Sequence, residues 1–303
     1  MKKLVYVLMI LMVGLLLSES SSLAWSSHSF HHAVYGNKNH PFVLPPNPRM
    51  LAHMINDQFY DLPSFVAIAI PDDIDVNVTG NTLQSIKATG TTADLSCFAP
   101  QVIKGVLYLR MIHTYTRNHY CGYPQGRIHV DVHLNSLYSV IKLGNGDFIA
   151  DNIDSPNFDL IVAGGGNIKL SGVIHLTTLN YSGSGTLAIY WIDSPVLSIM
   201  ANGEGKIELA GIVRILHTDL EDLIHLDARY LHAQVGFIST KNAAEADVWI
   251  NHDLYAFAEG SSNIYYFEKP YFIFHDTRYS GTALGMYDIP GALLYFNTGN
   301  FEW

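Results

Sequence analysis

Helical signal is what this chain of 303 residues has least of. From Ser64 onward no segment keeps an apolar period of 3.6, which argues against a helical bundle and against a helix-flanked sheet. Cationic side chains are also scarce, 17 Lys and Arg against 27 Asp and Glu, for a formal charge of −10. A surface of that sign repels phosphate backbones, so nucleic acid is a poor partner. After residue 24 no stretch reads as an apolar span: the longest run without Asp, Glu, Lys or Arg, 170–192, is broken by Ser, Thr, Asn, His and Gly. Familiar catalytic signatures are missing too: no nucleophile elbow, no P-loop, no His-Glu-x-x-His zinc motif and no Cys-x-x-Cys. Neither a cofactor nor a metal is expected. Gly164-Gly165-Gly166 fails as a dinucleotide fingerprint, because no helix follows it.

The first 24 residues read as a signal peptide. Lys2 and Lys3 precede an apolar run from Leu4 to Leu17, and Ser22-Leu23-Ala24 offers small residues at a cleavage site. The run is shorter than the ~20 residues a spanning helix needs, so cleavage is favoured over a retained anchor. Cleavage removes two Lys and one Glu, leaving a formal charge of −11. The expected location is outside the cytoplasm: periplasm, cell surface or medium. Only two cysteines exist, Cys97 and Cys121. In an oxidising compartment they can bridge a loop of about two dozen residues, provided their Cα atoms approach closely enough.

Residues 25–63 hold several histidines and prolines and read as a poorly ordered lead segment. Its trio His28, His31 and His32 lacks a neighbouring Cys or carboxylate to complete a metal site. Beyond it the pattern is β. Phe65 to Ile70, Ile74 to Val78, Val106 to Met111 and Ile128 to Val132 are short apolar or alternating runs separated by turn residues.

From Leu137 a motif repeats. Alternating segments carry Gly144-Asn145-Gly146, Gly164-Gly165-Gly166, Gly183-Ser184-Gly185 and Gly203-Glu204-Gly205. The first glycines are 20, 19 and 20 residues apart. Self-similarity at that period is the signature of stacked coils. The alternation gives strands with one buried and one wet face. The glycines Gly144, Gly146, Gly164, Gly166, Gly183, Gly185, Gly203 and Gly205 are therefore structural, supplying corners where backbones stack about 4.8 Å apart. Asp154-Ser155-Pro156 and Asp193-Ser194-Pro195 mark a second kind of corner, 39 residues apart. Near Glu221-Asp222 the glycines are lost and the repeat is degraded. The expected fold is an all-β, right-handed parallel β-helix or solenoid.

These residues resemble the head GIN domain family, proteins described as auto-transporter adhesins. Gly183-Ser184-Gly185 matches that family's corner motif, with the other three corners as variants. Ile264 to Pro270 resembles its aromatic closing strand. The likeness covers 64–270 and implies a β-helix in an exported envelope or surface protein, with no catalytic residues to carry over. The remaining tail, 271–303, is rich in aromatics and is expected to cap the open end of the coil.

Two functions follow as expectations. In the first, the solenoid is a rigid scaffold that binds an envelope glycan or a surface protein, using exposed aromatics drawn from Tyr181, Tyr190, Trp191, Trp249 and Tyr255. In the second, it is a carbohydrate-active enzyme, a lyase or glycoside hydrolase, with Asp147, Asp151, Asp154, Asp159 and Asp193 on one lateral face. The non-enzymatic reading is favoured, because turn formation already explains Asp154 and Asp193. After cleavage no integral membrane segment is expected. Self-association stays open.

Overall fold

A computed structural model describes residues 54–112, 115–116, 119–121 and 126–287. The stretch 1–24 expected as a signal peptide, the expected lead segment before residue 54, the trio His28, His31 and His32, and the tail beyond 287 lie outside the described residues. The described residues all belong to one compact unit, Pro46–Trp303. Its strands are β1 (Ile55–Tyr60), β2 (Ala67–Ile70), β3 (Asp75–Thr79) and β4 (Ser85–Thr91), followed by one helical turn, α1 (Thr92–Leu95). Next come β5 (Gln101–Ile103), β6 (Val106–Tyr108), β7 (Tyr115–Thr116), β8 (His119–Tyr120), β9 (His129–His133) and β10 (Ser139–Lys142). The long elements follow: β11 (Phe148–Val162), β12 (Asn167–Tyr181), β13 (Ser184–Ala201), β14 (Glu204–Leu220), β15 (Leu223–Thr240) and β16 (Glu245–Gly260). Short strands β17 (Asn263–Tyr266), β18 (Phe272–Tyr279) and β19 (Thr282–Gly285) end the described chain.

The fold is a parallel β-solenoid. Each long strand bends through two corners, so that one coil contributes to three stacked faces. The first face stacks 67–70, 139–142, 159–162, 178–181, 198–201 and their successors up to 275–277. The second stacks 75–79, 148–151, 167–171, 186–189 and 206–208, and continues to 282–285. The third runs from 153–155 through 172–174, 192–194, 211–213 and 231–233 to 249–250.

Like stacks on like inside. One column is Val76, Phe148, Ile168, Leu187, Ile207, Leu226, Ala246 and Ile264, all buried. A slip of one residue would turn such a column out to water, so the alternation fixes the register. Each large aliphatic side chain buried this way contributes about 1.5–3 kcal/mol.

The two ends depart from the repeat. After β3 the chain leaves the stack and returns beneath it. Strand β6 pairs with β2, and β9 with β3, on the edges opposite β10 and β11. The first coil in space is thus later in sequence than the second. Antiparallel pairing of β9 with β4 and of β4 with β1 covers that end. Residues 55–60 of the expected lead segment are therefore a strand. Cys97 and Cys121 lie in the same excursion, joined by a disulfide with Cα atoms 5.5 Å apart. At the other end β18 stacks on β16 and β19 on β17, so the first half of the expected aromatic cap is itself one more coil.

Candidate functional site

The glycine corners join the first face to the second, and they stack on one another at contact distance. A Cβ on Gly144 would lie 1.9 Å from the Asp72 carbonyl oxygen, and one on Gly164 would lie 2.2 Å from that of Gly144. Gly183 meets Gly164 in the same way, while Gly146, Gly166 and Gly185 form a parallel file. Gly203 is looser, at 3.0 Å from the Gly183 oxygen, and Gly205 is covered from inside by Tyr181. The column is backbone on backbone. Side chains from lower coils donate or accept along it. Asp73 Oδ1 accepts from the Asn145 N–H at 2.6 Å, and Asn145 Oδ1 in turn accepts from the Gly165 N–H at 2.9 Å. Inside the corner Lys142, only 1% exposed, donates from Nζ to the carbonyls of Gly144 at 2.7 Å and Gly165 at 2.5 Å. Burial pushes its ammonium below the ordinary lysine range, against the pull of Asp147, Asp73 and Asp75.

The five carboxylates considered for catalysis do not converge. Asp147 Oδ1 accepts from the Asn167 N–H at 2.8 Å, and Asp151 Oδ1 from the Ser171 hydroxyl at 2.7 Å, both along the second face. Asp159 serves the first face, accepting from Thr177 at 2.7 Å. Asp154 and Asp193 are exposed on the third face, in strands two coils apart, while Ser155 and Ser194 beside them turn inward. Three of the five tie one coil to the next.

The candidate aromatics divide by face. Tyr181 is buried, and its hydroxyl donates to the Gly185 carbonyl at 3.3 Å. Tyr190 is half-buried, with its hydroxyl 3.5 Å from Glu208 Oε2. Tyr255 belongs to a ladder on the first face, where His217, Phe237 and Tyr255 stack at 4.7 and 4.8 Å with planes 7° apart. Their ring faces are spent on one another. Trp191 is different: it is 66% exposed, and it holds φ at +67°. No ring contact involves it among the described residues. A bulky side chain in the left-handed region costs roughly 1–2 kcal/mol. Successive coils put Val173, Ile212, Tyr230 and His232 on the same side as Trp191, all exposed, and Trp249 stands 5.0 Å from His232. The third face thus carries an apolar strip, with Asp154 beside Val173 at one end and Asp193 within it beside Ile212.

The second face carries charge. His225 Nε2 lies 3.4 Å from Asp247 Oδ2 and 3.5 Å from Glu245 Oε1. Arg229 bonds Asp227 through Nε and Nη2, and its Nε is 3.8 Å from Asp247. The Asp247 hydrogen bond is the first cause that lifts His225 above its ordinary value, outweighing burial. Burial pushes the Asp227 carboxyl up, yet Arg229 overcomes this and holds it below the usual range. Sequence reading missed this cluster, because its members come from coils about 20 residues apart with no local motif.

Residues 64–270 match the model of one protein family, whose description is "Putative auto-transporter adhesin, head GIN domain". The chain belongs to this family. Solved structures share the GIN fold at low identity. A putative lipid binding protein from Parabacteroides distasonis ATCC 8503 has TM-score 0.67 and 18% identity, over 76% of this chain and 96% of the other. A putative adhesin from Parabacteroides merdae ATCC 43184 has TM-score 0.65 and 18% identity, covering 76% and 95%. One from Bacteroides fragilis NCTC 9343 has TM-score 0.58 and 15% identity, covering 77% and 97%. No curated protein matches. Family and neighbours bear the names of adhesins or binding proteins, and none of these is named as an enzyme. No helix among the described residues is long and apolar enough to cross a membrane.

Proposed function

We propose that this GIN-domain chain is exported and acts as an adhesin-like binding protein of the cell envelope or surface, and that the third face is its contact surface for glycan. Trp191 carries the reading. Its exposure and left-handed backbone both cost stability, and costs of that kind concentrate at functional sites. Its ring faces are open, unlike those of the first-face ladder, so the apolar C–H side of a sugar ring can pack on the indole. Asp193, two residues along the same strand and beside Ile212, and Asp154, beside Val173, supply acceptors for sugar hydroxyls. The chain's net charge of −10 favours a neutral glycan over an acidic one.

The test is a glycan array read with the chain from Trp25 onward, alongside its Trp191→Asn variant, and a pull-down from envelope extract. Binding to a neutral glycan that weakens at least tenfold in the variant is expected. Capture of a protein or lipid with no glycan bound, or equal glycan binding by both chains, would overturn the assignment of this face.

A further inference from the structure

We propose that His225, Glu245 and Asp247 form a binding site for one zinc-class divalent cation on the second face, separate from the proposed glycan surface. Strand register builds the set. His225 pairs with Glu245 across β15 and β16, and Asp247, two residues on, points to the same side as Glu245. The donor atoms of the three residues all lie within 4.8 Å of one another. A Zn²⁺ ion about 2.0–2.2 Å from each ligand in tetrahedral geometry separates neighbouring donors by roughly 3.3–3.6 Å. The distances from His225 Nε2, 3.4 and 3.5 Å, fall in that range.

Charge favours the same occupant. Asp227, Glu245 and Asp247 face a single guanidinium, that of Arg229, so the cluster carries about two negative charges when the imidazole is neutral. Lys206, next to His225 in register, is taken up by Glu208 at 2.5 Å. Asp247 is only 6% exposed, and a carboxylate with so little access to water needs a positive partner; Glu245, more open to water, completes the set beside it. Arg229 is committed to Asp227 through two hydrogen bonds and approaches Asp247 Oδ2 only to 3.8 Å, so a cation would take the place of the His225–Asp247 hydrogen bond. One nitrogen and two oxygens from the protein, with one corner left for water, form a borderline-soft donor set. Ca²⁺ prefers six to eight oxygens and fits it poorly.

Titration calorimetry of the full chain with Zn²⁺, and the visible spectrum of the Co²⁺ form, decide it. Expected are one tight site, an intense four-coordinate Co²⁺ spectrum, and at least tenfold weaker binding in both His225→Gln and Glu245→Gln. Both side chains are partly exposed, so the variants should keep the wild-type circular dichroism. The triple change His28→Gln, His31→Gln and His32→Gln must leave the tight site intact. Loss of binding in the triple variant, no saturable binding at all, or tighter binding of Ca²⁺ than of Zn²⁺ would each overturn the proposal.

Discussion

Between residues 144 and 205 the corner column is backbone on backbone, and at 222 and 242 side chains bond along it. In the first half Gly144, Gly146, Gly164, Gly166, Gly183 and Gly185 lie where a Cβ would strike the carbonyl of the coil below, and Lys142 supports the corner from inside. In the second half Asp222 and Asn242 occupy the corner at φ +68° and +62°, with Gly260 at +82° beyond them. Asn242 Nδ2 donates to Asp222 Oδ1 at 2.9 Å, and Asp222 Oδ2 approaches the Gly203 N–H at 3.4 Å. From Gly203, at φ +99°, onward this corner position is left-handed, and glycine is one way to supply it. Asp and Asn are the side chains that tolerate this region best. Close approach, by contrast, admits glycine alone.

That distinction predicts the largest effect at Gly144. A methyl group there would overlap the Asp72 oxygen at 1.9 Å, and both partners are backbone, so neither can rotate away. Gly144→Ala should cost upwards of about 4 kcal/mol, or prevent folding altogether, as the larger steric lesions do. Urea unfolding followed by circular dichroism measures it. A cost below about 1 kcal/mol would mean that the coils can part at this corner.

Lys142 sharpens the same half. Lys142→Met leaves the Gly144 and Gly165 carbonyls without their donor, at a cost of about 1–3 kcal/mol at neutral pH. The wild type should also respond to alkali. Its folded pKa lies below the unfolded 10.5, so the unfolded chain holds more protons between the two values. Stability attributable to Lys142 then rises with pH across that window, and the Met variant should lack the rise. Unfolding midpoints of both chains from pH 7 to 10.5 compare them.

The comparison also marks what could be read from the sequence. The glycine period predicts the stack, because contact-distance backbone leaves only one residue type, and that type is visible. The degraded corner at Glu221-Asp222 keeps the geometry by other residues, so a reading based on glycine sees a gap where the column continues. The out-of-order first coil carries no repeat to betray it. Exposure of Trp191 was illegible for another reason. The register shifts between Ile189 and Ile192, and past such a bulge alternation no longer tells which side chains face out. The charged cluster on the second face needs the register of β15 on β16, which no spacing rule supplies.

Asn242 tests the side-chain half. Asn242→Gly should change stability by no more than about 0.5 kcal/mol, since glycine keeps the left-handed backbone and loses one exposed hydrogen bond. Asn242→Ala should cost about 1–2 kcal/mol. Equal effects of the two changes would show that the Asp222 contact, rather than the backbone, governs this corner.

A small effect of opposite sign belongs to the other corner, between the second and third faces, where Asn152 holds φ +58° in one coil and Trp191 holds +67° two coils later. Asn152 is what the rule predicts; Trp191 breaks it. Replacing Trp191 by Asn brings the two coils into agreement and should stabilise the chain by up to about 1 kcal/mol, the relieved strain less the indole's remaining packing. A rise in unfolding midpoint together with a loss of glycan binding separates a residue kept for contact from one kept for folding. Should the variant instead unfold more readily, the indole is holding the third face together, and its exposure no longer argues for a ligand.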